Sequence, residues 1–206
     1  MKLVRSEVVL AAVGLMALPL ASQAQTTTPA PTTESLAGGA TKIVLDPAFL
    51  TALQGLSLKV GAFGSGGWLL SSAGQTGAYL SITTGVFDEA AMKGEISHAG
   101  GLSLTSGANV VDLSSFIIQI YPNPSAPPVL TGLWTANGKF AGRIPLFDLT
   151  VDPAQIKAQD PFLSIANVAL TLDPAAASAL SQAFGATVQS MPAGTATITG
   201  VLSQNQ

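Results

Sequence analysis

Cysteine is absent from the 206 residues. Without it there is no disulfide to staple the fold, no lipid-modified cysteine and no thiolate to hold a metal or act as a nucleophile, so stability has to come from a packed core. Histidine occurs once, at His98. A zinc or copper site built from several imidazoles is therefore excluded within one chain. A Ser-His-Asp triad would have to use that one residue, and no Gly-x-Ser-x-Gly elbow is present. Charge is scarce, at 9% of residues. Beyond the first 24 residues the basic side chains are Lys42, Lys59, Lys93, Lys139, Arg143 and Lys157, scattered along the chain. They form no stripe that could follow a phosphate backbone, which argues against nucleic acid as a partner. After Leu20 no run reaches the ~18 uninterrupted apolar residues that a spanning helix needs, so no membrane span is expected once the first segment is removed.

That first segment has a pattern of its own. Lys2 and Arg5 precede an apolar run from Val8 to Leu20, followed by the small residues of Ala21-Ser22-Gln23-Ala24. Residues 1–24 read as a secretory signal peptide, which directs the chain to the periplasm, the cell envelope or the extracellular space. Residues 25–41, QTTTPAPTTESLAGGAT, are rich in Thr and Pro and lack apolar periodicity, so they read as a flexible spacer. Residues 42–206 are then one β-rich domain, and with 48% hydrophobic residues in the chain there is enough to bury a core. The net charge of −3 becomes −4 when Lys2, Arg5 and Glu7 leave with the leader. A neutral surface of Thr, Ser, Gly and Ala either suits a crowded envelope, where the expected partners are other cell-envelope proteins or surface polymers, or is the low charge common to exported β-proteins.

Short alternating apolar runs broken by glycine define the fold class: mainly β, an antiparallel β-sandwich or open barrel with two short helices. The stretch from Gly85 to Tyr121 shows the pattern best, with Ile96, Leu102 and Leu104 spaced by twos around Gly100-Gly101. Val111 and Leu113 share one parity, whereas Phe116, Ile118 and Ile120 share the other, which predicts a bulge near Ser114-Ser115. Asn137-Gly138 predicts a hairpin, and Pro145 makes its second strand an edge or a bulged strand. Asp46-Pro47 and Asp173-Pro174 start the two helices, with Asp152-Pro153 a weaker third copy. Gly61 to Gly77 reads as a long Gly/Ser loop whose Phe63, Trp68, Leu69 and Leu70 either fold back on the core, the preferred reading, or form a contact surface. Asp88 and Glu89 read as a solvated turn.

Chemistry is thin. Asp46, Asp152 and Asp173 are taken up as helix caps, and Asp112 and Asp148 lie in apolar strands with no His or Lys beside them, so an enzyme is not expected. No cofactor follows from the residues alone. Haem is the one the chain could take, because His98, Tyr79 and Tyr121 are side chains suited to axial coordination.

The segments GEISHAGGLSLTSGANVVDLSSFIIQI, VLTGLWTANGKFAGRIPLFDLTV and VALTLDPAAASALSQAFG, the last followed by AGTATITGVL, bear on that point. In their order of strands, in their glycines, in the Arg143-to-Leu149 run and in the Ala-rich late helix, they resemble exported bacterial domains of the HtaA type, over roughly Leu45 to Val201. The resemblance implies an antiparallel, sandwich-like domain attached to the cell envelope that binds haem or another apolar ligand. That family's ligating tyrosine lies near the start of its domain. Here the corresponding part has Phe49 and Phe63, and the first tyrosine is Tyr79.

Overall fold

Three Asp-Pro steps decide where strands stop and helices begin. The computed structural model describes residues 33–63, 67–72, 75–121 and 127–203, so the signal-peptide segment and most of the Pro-rich turn after Tyr121 lie outside the described residues. Asp46 accepts the Ala48 N–H at 2.7 Å and opens α1, Pro47–Gly55. Asp173 accepts the Ala175 N–H at 2.6 Å and opens α2, Pro174–Phe184, which Gly185 ends in the left-handed region at φ 66°. Asp152 caps a single 3-10 turn, Pro153–Gln155, through the Ala154 N–H at 2.9 Å. In each case the carboxylate takes up an orphan donor of the first turn and proline occupies the position that needs none.

The strands are β1 Thr33–Leu45, β2 Lys59–Phe63, β3 Gly67–Ser72, β4 Gln75–Asp88, β5 Lys93–Ala99, β6 Gly101–Ser106, β7 Asn109–Ile120, β8 Val129–Ala136, β9 Lys139–Thr150, β10 Ile156–Gln159, β11 Phe162–Leu172 and β12 Pro192–Leu202. Every pairing is antiparallel, and the order β7-β5-β4-β1-β12-β11-β9-β8 returns to β7, closing an eight-stranded ring. Outside the ring, β6 carries β2, β3 lies on β4, and β10 lies on β11. The mainly β, antiparallel fold with two short helices is thus what the alternating runs describe.

The bulge falls where the phase change puts it. Pairing of β7 with β8 slips between Ser114 and Ile117, Ser115 has φ 50°, and Val111, Leu113, Phe116, Ile118 and Ile120 are all buried. The hairpin turns at Asn137 and Gly138, at φ 48° and 74°. Pro145 is both bulged, since the register skips a residue between Leu130 and Thr131, and on an open edge, since β11 pairs only with Phe147–Thr150 of β9.

Three readings need correction. The spacer does not extend to residue 41, because β1 begins at Thr33 and pairs with both β4 and β12. Its glycines are ladder positions rather than linker: Gly39 has φ +123°, and a Cβ there would lie 2.1 Å from the Thr199 carbonyl. Glycine weakens a strand by roughly 0.5–1 kcal/mol each, whereas burying Leu36 and Ile43, at 2% and 4% exposure, returns ~1.5–3 kcal/mol apiece. The Gly61-to-Gly77 segment is not a loop, since β2 runs to Phe63 and β3 pairs in register with β4 from Gly67↔Leu80 to Ser72↔Gln75. Phe63 is 40% exposed rather than folded inward. Finally, Asp88 is not a solvated turn residue. It is the last residue of β4, is 2% exposed, and accepts the Ala91 N–H at 2.8 Å across the turn.

Gly39→Ala is expected to lower folding stability by about 3 kcal/mol or more, because its Cβ meets backbone that cannot move aside. Gly38→Ala, with nothing within 4 Å, should change it by less than ~1 kcal/mol. Urea unfolding of the two variants measures the difference, and equal effects would take residues 33–41 out of the barrel.

Candidate functional site

Where β1 gives way to α1 and β11 to α2, the two helices close one end of the barrel. Phe49 and Leu53 from α1 and Ala176 and Leu180 from α2 face Phe116 and Trp134 across a cavity of about 70 Å³ lined by apolar side chains. The Phe49 ring meets Phe147 of β9 edge-on, with centroids 6.5 Å apart at 72°, which ties α1 to the barrel wall. A cavity of this character has no partner for water and stays dry or takes an apolar guest.

His98 lies in the barrel interior, 4% exposed, on β5. Its Nδ1 faces the Phe116 carbonyl at 3.4 Å and its Nε2 the Thr41 hydroxyl at 2.7 Å. A carbonyl only accepts, so Nδ1–H donates to Phe116 and the Thr41 O–H donates to Nε2 of a neutral ring. Pairing of β5 with β7 stops at Ser97↔Ile117, one residue short of the bulge, so the imidazole supplies the donor that the broken ladder withholds. Desolvation by burial lowers the imidazole pKa from 6.5 to about 4, against the smaller upward pull of hydrogen bonds to the Phe116 and Ile96 backbone.

The three haem candidates are placed apart. Tyr79 on β4 and Tyr121 just past β7 are 40% and 48% exposed on the outside, whereas His98 is inside. Tyr121 stands beside Asp88 at the far end of β4, which at ~3.3 Å per residue puts the tyrosines about 30 Å apart. No two of these donors face the cavity, so the residues as folded do not fit a haem held between axial ligands. Asp112 pairs across to Ser103 and Thr135 and is half-buried. Asp148 has its carboxyl pKa raised by desolvation and then by the neighbouring Asp173 charge and hydrogen bond. Sequence reasoning missed Thr41, which the spacer reading had removed from the fold. Its one local signal is the parity it shares with Ile43 and Leu45.

No family model matches the chain, and no curated protein matches it. A solved structure does: the fold of this chain is similar to that of a domain of HtaA. The crystal structure of the C-terminal domain of HtaA from Corynebacterium glutamicum superposes with a TM-score of 0.57 at 15% identity, over 82% of this chain and 99% of that one. A domain-swapped dimer of a histidine-to-alanine variant of the same domain gives 0.48 at 16% identity, over 74% and 90%. The first of these establishes the shared fold.

His98 makes stability pH-dependent. Below pH 6.5 the unfolded chain protonates its histidine while the folded chain does not until about pH 4; the unfolded state therefore gains as pH falls through that window, and stability is lost. The loss from this residue is about 3 kcal/mol between pH 7 and pH 4. Denaturant titrations at pH 7, 5.5 and 4 should show that slope in the wild type and lack it in His98→Gln. Parallel slopes would mean that the imidazole is solvated.

Proposed function

We propose that this protein is an exported, non-enzymatic binding domain of the cell envelope whose barrel encloses a compact apolar ligand. The cavity beneath α1 and α2 carries the reading. At ~24 cal/mol per Å³, 70 Å³ of unfilled space corresponds to about 2 kcal/mol of stability forgone, in a chain with no disulfide to make up for it. A guest recovers the missing dispersion contacts, and eight-stranded barrels are the size that holds either side chains or one small ligand.

Export rests on the signal-peptide pattern of residues 1–24. Among the described residues no helix is long and apolar enough to cross a membrane. A non-enzymatic role is favoured because the readiest acid–base groups are occupied: His98 at both ring nitrogens, and Asp46, Asp152 and Asp173 as caps. The outward side of β12, with Thr195 and Thr199 exposed and Thr197 half-exposed, offers the neutral polar surface suited to envelope proteins or surface polymers.

Haem is the competing ligand. The cavity is smaller than the ~300–1,000 Å³ of pockets that take drug-sized ligands, so a porphyrin calls for a different, opened arrangement at this end. Titration of the protein with benzene, followed by thermal unfolding, is expected to raise the Tm saturably. Ala176→Leu, which fills the cavity from α2, should remove that response and itself be as stable as the wild type or up to ~1–2 kcal/mol more so. No response in the wild type sinks the proposal. A saturable Soret shift with haem that Tyr79→Phe, Tyr121→Phe or His98→Ala abolishes would replace it with a haem carrier.

A further inference from the structure

At the opposite end of β4 from the cavity, the outer face of the barrel carries a groove of about 410 Å³. Its charged lining comes from Asp88 of β4 and from Lys93 and Glu95 of β5, and Val86 and Tyr121 form apolar walls that are 47% and 48% exposed. Asp88 is the unusual member. The residue is 2% exposed, Oδ1 accepts the Ala91 N–H at 2.8 Å, and Oδ2 is the one buried side-chain polar atom among the described residues that has no hydrogen-bond partner. A buried carboxylate oxygen left unpaired costs roughly 1–3 kcal/mol or more, because it has given up water and received nothing in return. That penalty points to a ligand.

The free acceptors define its chemistry. Asp88 offers one oxygen, since the other is taken by Ala91, and Glu95 accepts the Gln119 amide through Oε2 at 3.3 Å, leaving Oε1. Paired, fork-on-fork binding of a guanidinium is best served by a carboxylate with both oxygens unencumbered, whereas here each carboxylate already spends one lone pair of one oxygen on the protein. A divalent metal needs more ligands than these: among the described residues no group of three or more His, Cys, Asp or Glu could hold one. A primary ammonium is compact, carries three donors on one nitrogen, and gains from the face of an aromatic ring such as that of Tyr121. Lys93 pairs directly across from Asp88 in the ladder and lines the same groove, so its own ammonium is the natural competitor for the site.

We propose that the Asp88–Glu95 groove is a binding site for a primary ammonium group, carried either on a free alkylamine or on a lysine side chain of another polypeptide. The ammonium seats between the free oxygens of the two carboxylates, with its alkyl chain against Val86 and Tyr121.

The test is an amide chemical-shift titration of the full chain at constant ionic strength. The probes are methylammonium, N-acetyl-lysine methylamide, and tetramethylammonium, which cannot donate a hydrogen bond. Saturable shifts at Asp88, Ala91 and Glu95 are expected with the donating probes, at least tenfold weaker with tetramethylammonium and in Asp88→Asn. Tighter binding of the lysine derivative than of methylammonium identifies a polypeptide source, and the reverse order a free amine. Glu95→Gln should weaken binding several-fold even if Asp88→Asn fails to fold, and Lys93→Gln should strengthen it. Absence of saturation, equal response to tetramethylammonium, or loss of folding stability in Lys93→Gln, which would make Lys93 the carboxylate's own partner, overturns the proposal.

Discussion

The structure depends on a broken hydrogen-bond ladder in the middle of β7. Before the break this strand pairs with β6, from Asn109 to Ser114, and after it with β5, from Ile117 to Ile120. Gly100, at φ 92°, bends the partner chain between β5 and β6, and Ser115, at φ 50°, bends β7. The bend releases backbone carbonyls that would each cost about 1–3 kcal/mol if buried without donors. Arg143 donates to Ser115 O at 2.8 Å, the imidazole to Phe116 O at 3.4 Å, and Thr131 to Ile117 O at 3.4 Å, while Arg143 also braces the Thr131 hydroxyl at 3.1 Å. Three side chains from three strands thus stand in for the ladder. Gly132 on β8 completes the corner, because a Cβ there would approach the Phe116 ring to 3.1 Å and Leu146 to 2.7 Å.

From that corner the rest of the architecture follows. Once β6 turns out of the ring, the edge of β4 ahead of Ser81 loses the neighbour that β5 provides from Ser81↔Ala99 onward, and β3 takes that edge from Gly67↔Leu80. β2 covers the far side of β6. The ring itself closes because β7 pairs with β8 on both sides of the bulge, from Val111↔Ala136 to Ser114↔Leu133 before it and from Ile117↔Thr131 to Gln119↔Val129 after it. Leu102 and Leu104 of β6 and Val60 of β2 lie on the same side as α1 and α2, and the apolar cavity lies among them.

What could be read from the residues was local. The phase change between Leu113 and Phe116, the Asn137-Gly138 turn and the Asp-Pro caps each involve neighbours a few positions apart, and each has a stereochemical cause that acts whatever the rest of the chain does. The features that escaped are those in which local and tertiary signals disagree. Leu36 and Ile43 are buried in β1, but threonine, serine and glycine around them resemble a linker, and only pairing with β4 and β12 makes a strand of it. The same holds for β3, whose glycines and serines hide an in-register hairpin with β4. Asp88 is the last residue of its strand and precedes Glu89, the usual dress of an exposed turn, and nothing nearby in sequence shows that it is covered. Thr41 and His98 lie 57 residues apart, and no pattern short of the fold connects them.

That pair also bears on why the barrel settles into one register. Thr41 stands opposite Leu80 on one side of β4, and His98 opposite Ile82 on the other, so their side chains meet over β4 on its inner face. Because side chains alternate faces, a slip of one residue in either ladder would turn one partner outward and leave the other buried without its hydrogen bond. An apolar pair at these positions would fill the space as well but would resist slippage less, since apolar contacts are forgiving of small shifts and a 2.7 Å hydrogen bond is not. In a strand as weakly patterned as β1, where the Gly-Gly step and several threonines leave the alternation faint, a satisfied polar contact is the stronger constraint on register. The histidine therefore does two structural tasks at once: one nitrogen closes the broken ladder at Phe116, and the other holds β1 in place against β4.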